Sequence, residues 1–485
     1  MNQPLPEPKS ETDSGKAISS FLSLGGGTIL ARLAALLGTT YIARVLGPEG
    51  FGLVGFALAI SSYVSLIITA GVNIIGAREV ARQPERAANL AASIILFRLL
   101  LACGAFVTIG LLSLAVPKPT IFKLVICLTG LSYFTIALDT AWVHQGLEQN
   151  RRVGIAMILT EAVNTGLLLL WVSKPNDVVW VPVAMFCGQL VAALFLGSSI
   201  FVKTHFKGNL REGFQLFDLS KFYFFSKLLR TLMLTFDIIL LGFIWGDRSV
   251  GLYSAPYRIC YMIFALSTAI NFSYLPDFAR SVPLGASKVS AVATRSLELS
   301  AIVIAPVVVG GIVIANPLLG FLFGSAYLEG TTACQLLLVT TGLFVIRGTI
   351  QNIIMVYDRL KLEMGIILTA AVLNITLDLY LIPDYGLTGA AVATTLSEGM
   401  VLLLGGLAIY RLEIFPDFRL SFRILLAAIL MGIILFVFRN SLNMFTSIGL
   451  GSLTYIFSIL LLRAVPPDLS IYLTRFYSRL SKHAD

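Results

Sequence analysis

The chain has 485 residues, of which 57% are hydrophobic and only 13% are charged, and its formal net charge is +9. Because a soluble protein carries about 25% charged residues, this composition excludes a soluble globular domain. An excess of Lys and Arg can indicate nucleic acid or acidic lipid as a partner. Here it lies in short connections between apolar stretches, where orientation in a membrane explains it better. Membrane lipid is therefore a predicted partner and nucleic acid is not.

Apolar runs of roughly 18–25 residues recur along the whole chain, and each is long enough to cross about 30 Å of hydrocarbon. This pattern predicts an all-α polytopic membrane protein with about fourteen transmembrane helices. The predicted spans, numbered 1 to 14, are 20–43, 51–74, 91–115, 121–145, 153–173, 179–202, 219–245, 251–273, 296–318, 333–356, 363–382, 388–410, 421–438 and 443–463.

The 35 Lys and Arg residues are distributed unevenly over the connections. With both termini in the cytoplasm, about 23 of them lie on the cytoplasmic side and about 6 outside, a bias that the positive-inside rule expects. The first 17 residues lack the apolar core and small-residue cleavage site of a signal peptide. They predict a cytoplasmic tail.

A glycine-rich turn occurs twice along the chain. Gly47 and Gly52 follow span 1, and Gly246 and Gly251 stand at matching places after span 7. Because the copies are six spans apart, they have the same orientation, which predicts two six-helix lobes in a parallel pseudo-twofold repeat plus two extra C-terminal helices. The predicted regions are a cytoplasmic tail 1–17, an N-lobe 18–202, a cytoplasmic inter-lobe connection 203–218, a C-lobe 219–410 and a C-terminal region 411–485 with spans 13 and 14.

Six cations lie inside predicted spans, where each costs at least about 2.5–3.5 kcal/mol if it is unpaired and faces lipid. They are therefore expected to face protein or a wet cavity. A cationic surplus in a polar cavity favours a phosphate-bearing substrate, since Arg binds phosphate through paired donors. Tyr261 shares a helix face with one of them, Arg258. The six cations are Arg32, Arg98, Lys227, Arg230, Arg258 and Arg347.

Other roles are open for these cations and for the acids inside the spans. The cations are structural if they pair with those acids, and Arg98, early in span 3, can instead extend towards the lipid headgroups. Some of the acids are candidates for binding Na⁺ or a proton that drives a transport cycle. The acids with this candidate coupling role are Asp237, Glu161, Asp378 and Glu398.

Sequence motifs for catalysis are missing from the chain. It contains no P-loop, no G-x-S-x-G and no H-E-x-x-H, and its three histidines leave little room for acid–base chemistry. The five cysteines are scattered singly, so no metal site or redox pair is predicted. The sequence therefore predicts a transporter rather than an enzyme, with no catalytic residue, cofactor or metal.

Three passages of the chain resemble the polysaccharide biosynthesis (O-antigen flippase) family. They are the first glycine-rich turn 43–52 with its coda 78–82, the segment 142–148 at the end of span 4, and the segment 385–394. The family lies in a superfamily with multidrug and toxin extruders and the lipid II flippase. With the length and the span count, the resemblance covers nearly the whole chain.

The resemblance implies translocation of an undecaprenyl-pyrophosphate-linked oligosaccharide from the cytoplasmic to the outer leaflet of the bacterial inner membrane. Such proteins are thought to rock two lobes around a cationic cavity, in which Arg32 and Arg258 resemble that family's cavity arginines. Tyr223, Tyr257 and Tyr261 are expected to stack on sugars. A polysaccharide polymerase complex is a candidate partner. The alternatives are an ion-coupled multidrug extruder of the same superfamily and a non-transporting scaffold for a polymerase complex.

Overall fold

The structure is a computed structural model that describes residues 11–69, 71–201, 208–439 and 441–466. In this part of the chain every regular element is helical. The α-helices are α1 (Glu11–Thr69), α2 (Val72–Arg82), α3 (Ala87–Ala115), α4 (Thr120–Gly130), α5 (Ser132–Leu138), α6 (Ala141–Gly146), α7 (Asn150–Trp171), α8 (Trp180–Phe201), α9 (Leu210–Ile244), α10 (Gly246–Ser281), α11 (Ala286–Phe323), α12 (Thr331–Val356), α13 (Leu360–Tyr410), α14 (Arg419–Phe438) and α15 (Met444–Leu461). Short 3₁₀ turns lie at Pro84–Arg86, Pro175–Val179, Val282–Leu284 and Ser325–Gly330.

Eleven helical stretches of the described chain are long and apolar enough to cross a membrane. The stretches Leu30–Arg82 and Leu360–Tyr410, of 53 and 51 residues, have about twice the length that one crossing needs. The predicted class, an all-helical polytopic membrane protein, is therefore confirmed. The number of fourteen spans stays a prediction.

Both double-length stretches are interrupted at a glycine. Gly47 has φ 67° and is followed by Pro48, and Gly386 has φ 53°. L-residues with a side chain rarely adopt these positive φ values. Gly47 therefore interrupts the first stretch, and Gly386 interrupts the second. At Gly386 the room is also limited, because an added Cβ would lie 3.3 Å from the ring of Trp245.

The chain forms two compact units, the first ending at Thr231 and the second beginning at Leu232. This boundary lies inside α9. The C-terminal part of the predicted connection 203–218 is not a loop, because helix α9 begins at Leu210. Residues 202–207, 1–10 and 467–485, which include parts of that connection and of both predicted tails, lie outside the described residues.

Residues with positive φ occur near the starts of helices in both units. Gly47 and Gly246 have φ values of 67° and 80°, and each starts a membrane helix. Further along, Glu148 and Asp358 stand 210 residues apart with φ values of 58° and 54°, directly before α7 and α13. Left-handed residues other than glycine are uncommon, and Glu413 and Arg463 of the second unit are two more. The six-helix repeat stays a prediction.

Predicted span 4 differs from a single helix. It consists of α4, α5 and α6, with the second interruption at Asp139 and Thr140. The carboxylate Oδ1 of Asp139 accepts a hydrogen bond from the backbone N–H of Ala141 at 2.9 Å. This local bond stabilises a turn in place of continuous helix and brings Asp139 into the interior of the first unit.

Predicted span 2 is also interrupted, at Gly71 (φ 69°) between α1 and α2. An added Cβ there would lie 3.1 Å from the carbonyl oxygen of Ser220 and the backbone nitrogen of Phe224. The backbone of α9 therefore approaches this turn closely. Glycine meets both requirements at once, since it tolerates the left-handed conformation and takes no space.

Candidate functional site

The six cations predicted inside spans fall into two groups by exposure. Arg32 and Lys227 are exposed, and Arg230 and Arg258 are half-buried. Arg98 and Arg347 are buried, at 0% and 9% exposure. The buried arginines therefore need partners inside their own unit, whereas the other four side chains are at least partly exposed.

Arg98 lies on α3 in the interior of the first unit. Its guanidinium group donates to the side-chain oxygen of Asn73 and, at 3.4 Å, to the backbone carbonyl of Asp139. That carbonyl is available because the helix is interrupted at Asp139. The headgroup-facing position considered for Arg98 does not fit a fully buried side chain, and the buried Nε has no hydrogen-bond partner.

Arg347 is neutralised within the second unit. Its Nη1 donates to both carboxylate oxygens of Glu398, at 2.8 and 2.9 Å, and its guanidinium group lies 4.5 Å from the ring centre of Phe344. The neighbouring polar residues on α12 bond to the same helix, α13: Thr340 to Thr395 at 2.8 Å and Gln351 to Glu363 at 2.9 Å. The geometry favours the structural alternative for Arg347 and Glu398.

Two other acids of the second unit, Asp237 and Asp378, have no arginine partner among the described residues of the kind that Glu398 has. Asp237 is fully buried and accepts from the hydroxyls of Tyr253 at 2.6 Å and Thr394 at 3.4 Å. Asp378 is also fully buried, and neither of its oxygens has a hydrogen-bond partner. The two carboxylates interact electrostatically.

An amide stands one helical turn before Asp378. Asn374 is 1% exposed, and both polar atoms of its side chain lack partners. A buried polar group without a partner costs free energy, and here four such atoms belong to Asn374 and Asp378, the second of which interacts with the carboxylate of Asp237. This arrangement suits a bound proton or a small cation that the oxygens can share.

The remaining predicted acid, Glu161, is half-buried on α7 in the first unit. Its Oε2 lies 3.5 Å from the amide nitrogen of Asn164. Glu161 therefore lies among residues of the first unit. Within the described residues, no group of three or more His, Cys, Asp or Glu side chains is arranged to hold a metal ion.

Tyr261 belongs to a row of aromatic rings on α10. Ring centres are 5.3 Å apart between Tyr253 and Tyr257 and 5.5 Å apart between Tyr257 and Tyr261. Tyr257 is 3% exposed and packs between its neighbours, so its ring is not open to stack on a sugar. Tyr261 is half-buried and Tyr223 is 38% exposed, which leaves these two rings accessible.

Sequence reasoning missed the neutral members of these clusters. Asn374, Thr394, Tyr253 and Asn73 carry no charge and did not stand out among apolar residues. The spacing of four between Asn374 and Asp378, which places both on one helix face, is a signal that the sequence does contain. The pairing of Thr394 with Asp237, 157 residues apart, has no local signal.

Comparisons with known proteins agree with this architecture. A family model described as polysaccharide biosynthesis protein matches residues 18–282. The chain is similar to a putative O-antigen transporter of Escherichia coli K12 (23% identity over 53% of this chain and 63% of the relative). It is also similar to the probable low-salt glycan biosynthesis flippase Agl15 of Haloferax volcanii (24% identity over 55% of this chain and 58% of the relative). The chain thus spans about three fifths of the length of these two relatives.

A solved structure has the same fold. The lipid II flippase MurJ in an inward closed conformation superposes with a TM-score of 0.77 at 13% identity, over 91% of this chain and 98% of the MurJ chain. At this identity the likeness concerns the fold alone. It extends over both units of the chain.

Proposed function

Because the chain belongs to the polysaccharide biosynthesis protein family, we propose that it flips a polyprenyl-pyrophosphate-linked oligosaccharide from the cytoplasmic to the outer leaflet. The family match carries this proposal. The multi-pass helical fold and the relatives named O-antigen transporter and glycan flippase support it. In this proposal the protein is a transporter without catalytic residues, lies in a bacterial inner membrane, and has both termini in the cytoplasm.

The pyrophosphate is the part of this substrate that the cations would bind. Arg32 is exposed and Arg230 and Arg258 are half-buried, all on apolar helices where a charge is expensive unless it serves a function. Guanidinium groups bind phosphate oxygens through paired donors. Arg98 and Arg347 are left out of this role because their guanidinium groups bond to residues of their own unit.

The acid pair of the second unit is the proposed coupling site. A proton or Na⁺ held by Asp237 and Asp378, with Asn374 and Thr394 as neutral oxygen donors, would neutralise carboxylates that are otherwise buried as charges. Binding and release of that cation would favour one conformation of the carrier over the other, as alternating access requires. Glu398 is excluded from this role because it binds Arg347.

Surface polysaccharide in a flippase-deletion strain carrying plasmid-encoded variants tests the proposal. Arg32→Ala and Arg258→Ala are expected to lower surface polysaccharide at least about tenfold, since each removes a charge-assisted bond to the substrate. Arg248→Ala is the matched control, because Arg248 pairs with Glu329 on the exposed surface. Normal polysaccharide from both variants at normal protein level contradicts the assignment of these arginines.

A multidrug extruder of the same superfamily is the second candidate function. The acid pair of the second unit favours it, since an ion-coupled exporter needs such a site. It predicts drug resistance on overexpression and intact polysaccharide on deletion. A scaffold for a polymerase complex predicts instead that the arginine and acid variants are silent.

A further inference from the structure

A polar cavity of about 590 Å³ lies within the first unit, among helices α1, α5, α7, α8 and α9. Its volume is in the range of small-molecule sites, about 300–1,000 Å³. The charged side chains of its lining are Lys227 and Asp139, and none of the lining side chains is aromatic. We propose that this cavity binds a neutral, hydroxyl-rich group such as a sugar ring of the transported glycan. The link to a transported glycan rests on the proposed function, whereas the chemistry of the cavity does not.

Five of the six hydroxyl groups that line the cavity share one property: each donates its proton to a carbonyl of its own helix. A hydroxyl has a single proton and two lone pairs. These side chains therefore face the cavity as hydrogen-bond acceptors. The donations are from Ser62 to Ala59 at 2.7 Å, Ser65 to Ser61 at 2.7 Å, Thr69 to Ser65 at 2.9 Å, Thr160 to Ala156 at 2.9 Å and Thr231 to Lys227 at 2.9 Å.

A wall of acceptors selects for ligands that carry O–H or N–H donors. Pyrophosphate oxygens are acceptors, so they gain nothing from the hydroxyls and would bind through Lys227 alone. The ammonium group of Lys227 is balanced by the carboxylate of Asp139, which lines the same cavity. The two charged side chains of the lining thus offset each other, and what a polyanion lacks here is a set of hydroxyl donors.

A small cation is also disfavoured there. Arg98 lies behind Asp139, fully buried, and interacts electrostatically with both Asp139 and Lys227. Two positive charges against one carboxylate repel a third positive charge. The acceptors are therefore left for a neutral donor-rich ligand.

The rest of the lining fits a sugar ring. Gln189 accepts from Thr135 at 2.6 Å through its Oε1, which leaves its amide N–H groups as donors to a ring or hydroxyl oxygen. Leu66, Ala192 and Ala193 give the cavity an apolar wall. A pyranose has the matching surfaces, with hydroxyls around its edge and C–H groups on its faces.

The test uses the full-length protein in nanodiscs and measures binding of methyl glucoside, methyl galactoside and methyl N-acetylglucosaminide by saturation-transfer NMR, with inorganic pyrophosphate as a separate probe. The double variant T160V/T231V removes two acceptors without changing shape, and the helix carbonyls keep their backbone bonds. At least one glycoside is expected to bind the wild type. The double variant is expected to bind that glycoside at least about tenfold more weakly. Pyrophosphate binding is expected to stay unchanged.

T108V is the matched control. Thr108 is exposed on α3, donates to the carbonyl of Gly104 at 2.8 Å, and does not line the cavity. A193F is a second variant, which fills the cavity and should abolish glycoside binding. Binding of no glycoside to the wild type, equal binding to the wild type and both cavity variants, or loss of pyrophosphate binding in T160V/T231V overturns the proposal.

Surface polysaccharide separates this proposal from the proposed function. Loss of glycoside binding together with loss of polysaccharide in T160V/T231V supports both. Loss of binding with normal polysaccharide keeps the sugar site and contradicts its role in transport. If the arginine variants lose polysaccharide while glycosides fail to bind, the cavity proposal alone is wrong.

Discussion

The predicted repeat pairs places in the two units whose side chains differ in chemistry. By the separation of the glycine turns, Gly38 of the first unit corresponds to Asp237 of the second. By the separation of Glu148 and Asp358, Leu168 corresponds to Asp378. Gly38 packs against Thr165, whose hydroxyl would lie 2.8 Å from an added Cβ, and Leu168 is 3% exposed.

The difference shows how a duplicated bundle becomes asymmetric. In the first unit these places are filled by close helix packing, and the polar groups lie elsewhere, in the hydroxyl-lined cavity. In the second unit the same places hold two buried carboxylates. Glycine turns and helix ends thus stand at places that the predicted repeat pairs, whereas the polar interior differs between the two units.

Exchanging one matched pair gives the largest expected effect. Leu168→Asp buries a charge without a partner and should lower the free energy of unfolding by about 3–5 kcal/mol. Asp378→Leu removes such a charge, so the free energy of unfolding should stay the same or rise by about 1 kcal/mol, while surface polysaccharide is lost. SDS titration in mixed micelles measures both stabilities.

The comparison fails if the two variants are destabilised alike. In that case Asp378 holds the fold together as Leu168 does, and the coupling role proposed for it is wrong. Asp378→Asn keeps the shape and removes only the charge. It should reproduce the loss of polysaccharide without a loss of stability.

Replacing the buried arginine of each unit, Arg347 or Arg98, is expected to have the next largest effect on the free energy of unfolding. Arg347→Met leaves Glu398 as an unpaired buried carboxylate, which should cost about 3–5 kcal/mol of unfolding free energy. Arg98→Met breaks bonds to the neutral oxygens of Asn73 and the Asp139 backbone and should cost about 1–3 kcal/mol. The same SDS titration ranks the two variants.

A rescue variant shows whether charge is the cause. Adding Glu398→Leu to Arg347→Met removes the unpaired carboxylate and should restore most of the lost stability. If the double variant is as unstable as Arg347→Met, shape rather than charge explains the effect. Equal losses for Arg98→Met and Arg347→Met would show that the two arginines are held in the same way.

The smallest effect concerns one hydrogen bond in each unit, from an aromatic side chain to a backbone carbonyl. The hydroxyl of Tyr41 donates to the carbonyl of Val172 at 2.8 Å, and the indole of Trp245 donates to the carbonyl of Ile382 at 2.8 Å. Tyr41→Phe should cost about 1 kcal/mol. Trp245→Phe should cost about 2 kcal/mol, because it also uncovers Gly386.

The midpoint of thermal unfolding in detergent is sensitive enough to rank these two conservative changes. Thr369→Val, on an exposed face of α13, is a control that should leave the midpoint unchanged. A larger loss for Tyr41→Phe than for Trp245→Phe would mean that the two bonds do not play matching roles.

The sequence was sufficient for the features that depend on composition and spacing. Apolar length predicted the helices, because it is a local pattern. The interruption at Asp139 was missed, since an Asp side chain that bonds to the N–H two residues later also occurs in ordinary loops.

The site was predictable only where charge made it visible. Arg347 and Glu398 were both singled out, but their pairing across 51 residues was one of several open combinations. Asn374 and the hydroxyls around the first-unit cavity were missed because neutral polar residues are common in membrane helices. Which of them face a cavity depends on helix rotation in the fold.

The hydroxyls that bond to their own helices have a consequence for evolution. Because such a side chain contributes no bond between helices, exchanging Ser65 or Thr160 for Ala or Val alters the lining of the cavity without loosening the bundle. Mutation can then change the ligand preference of the proposed sugar site while the fold is retained.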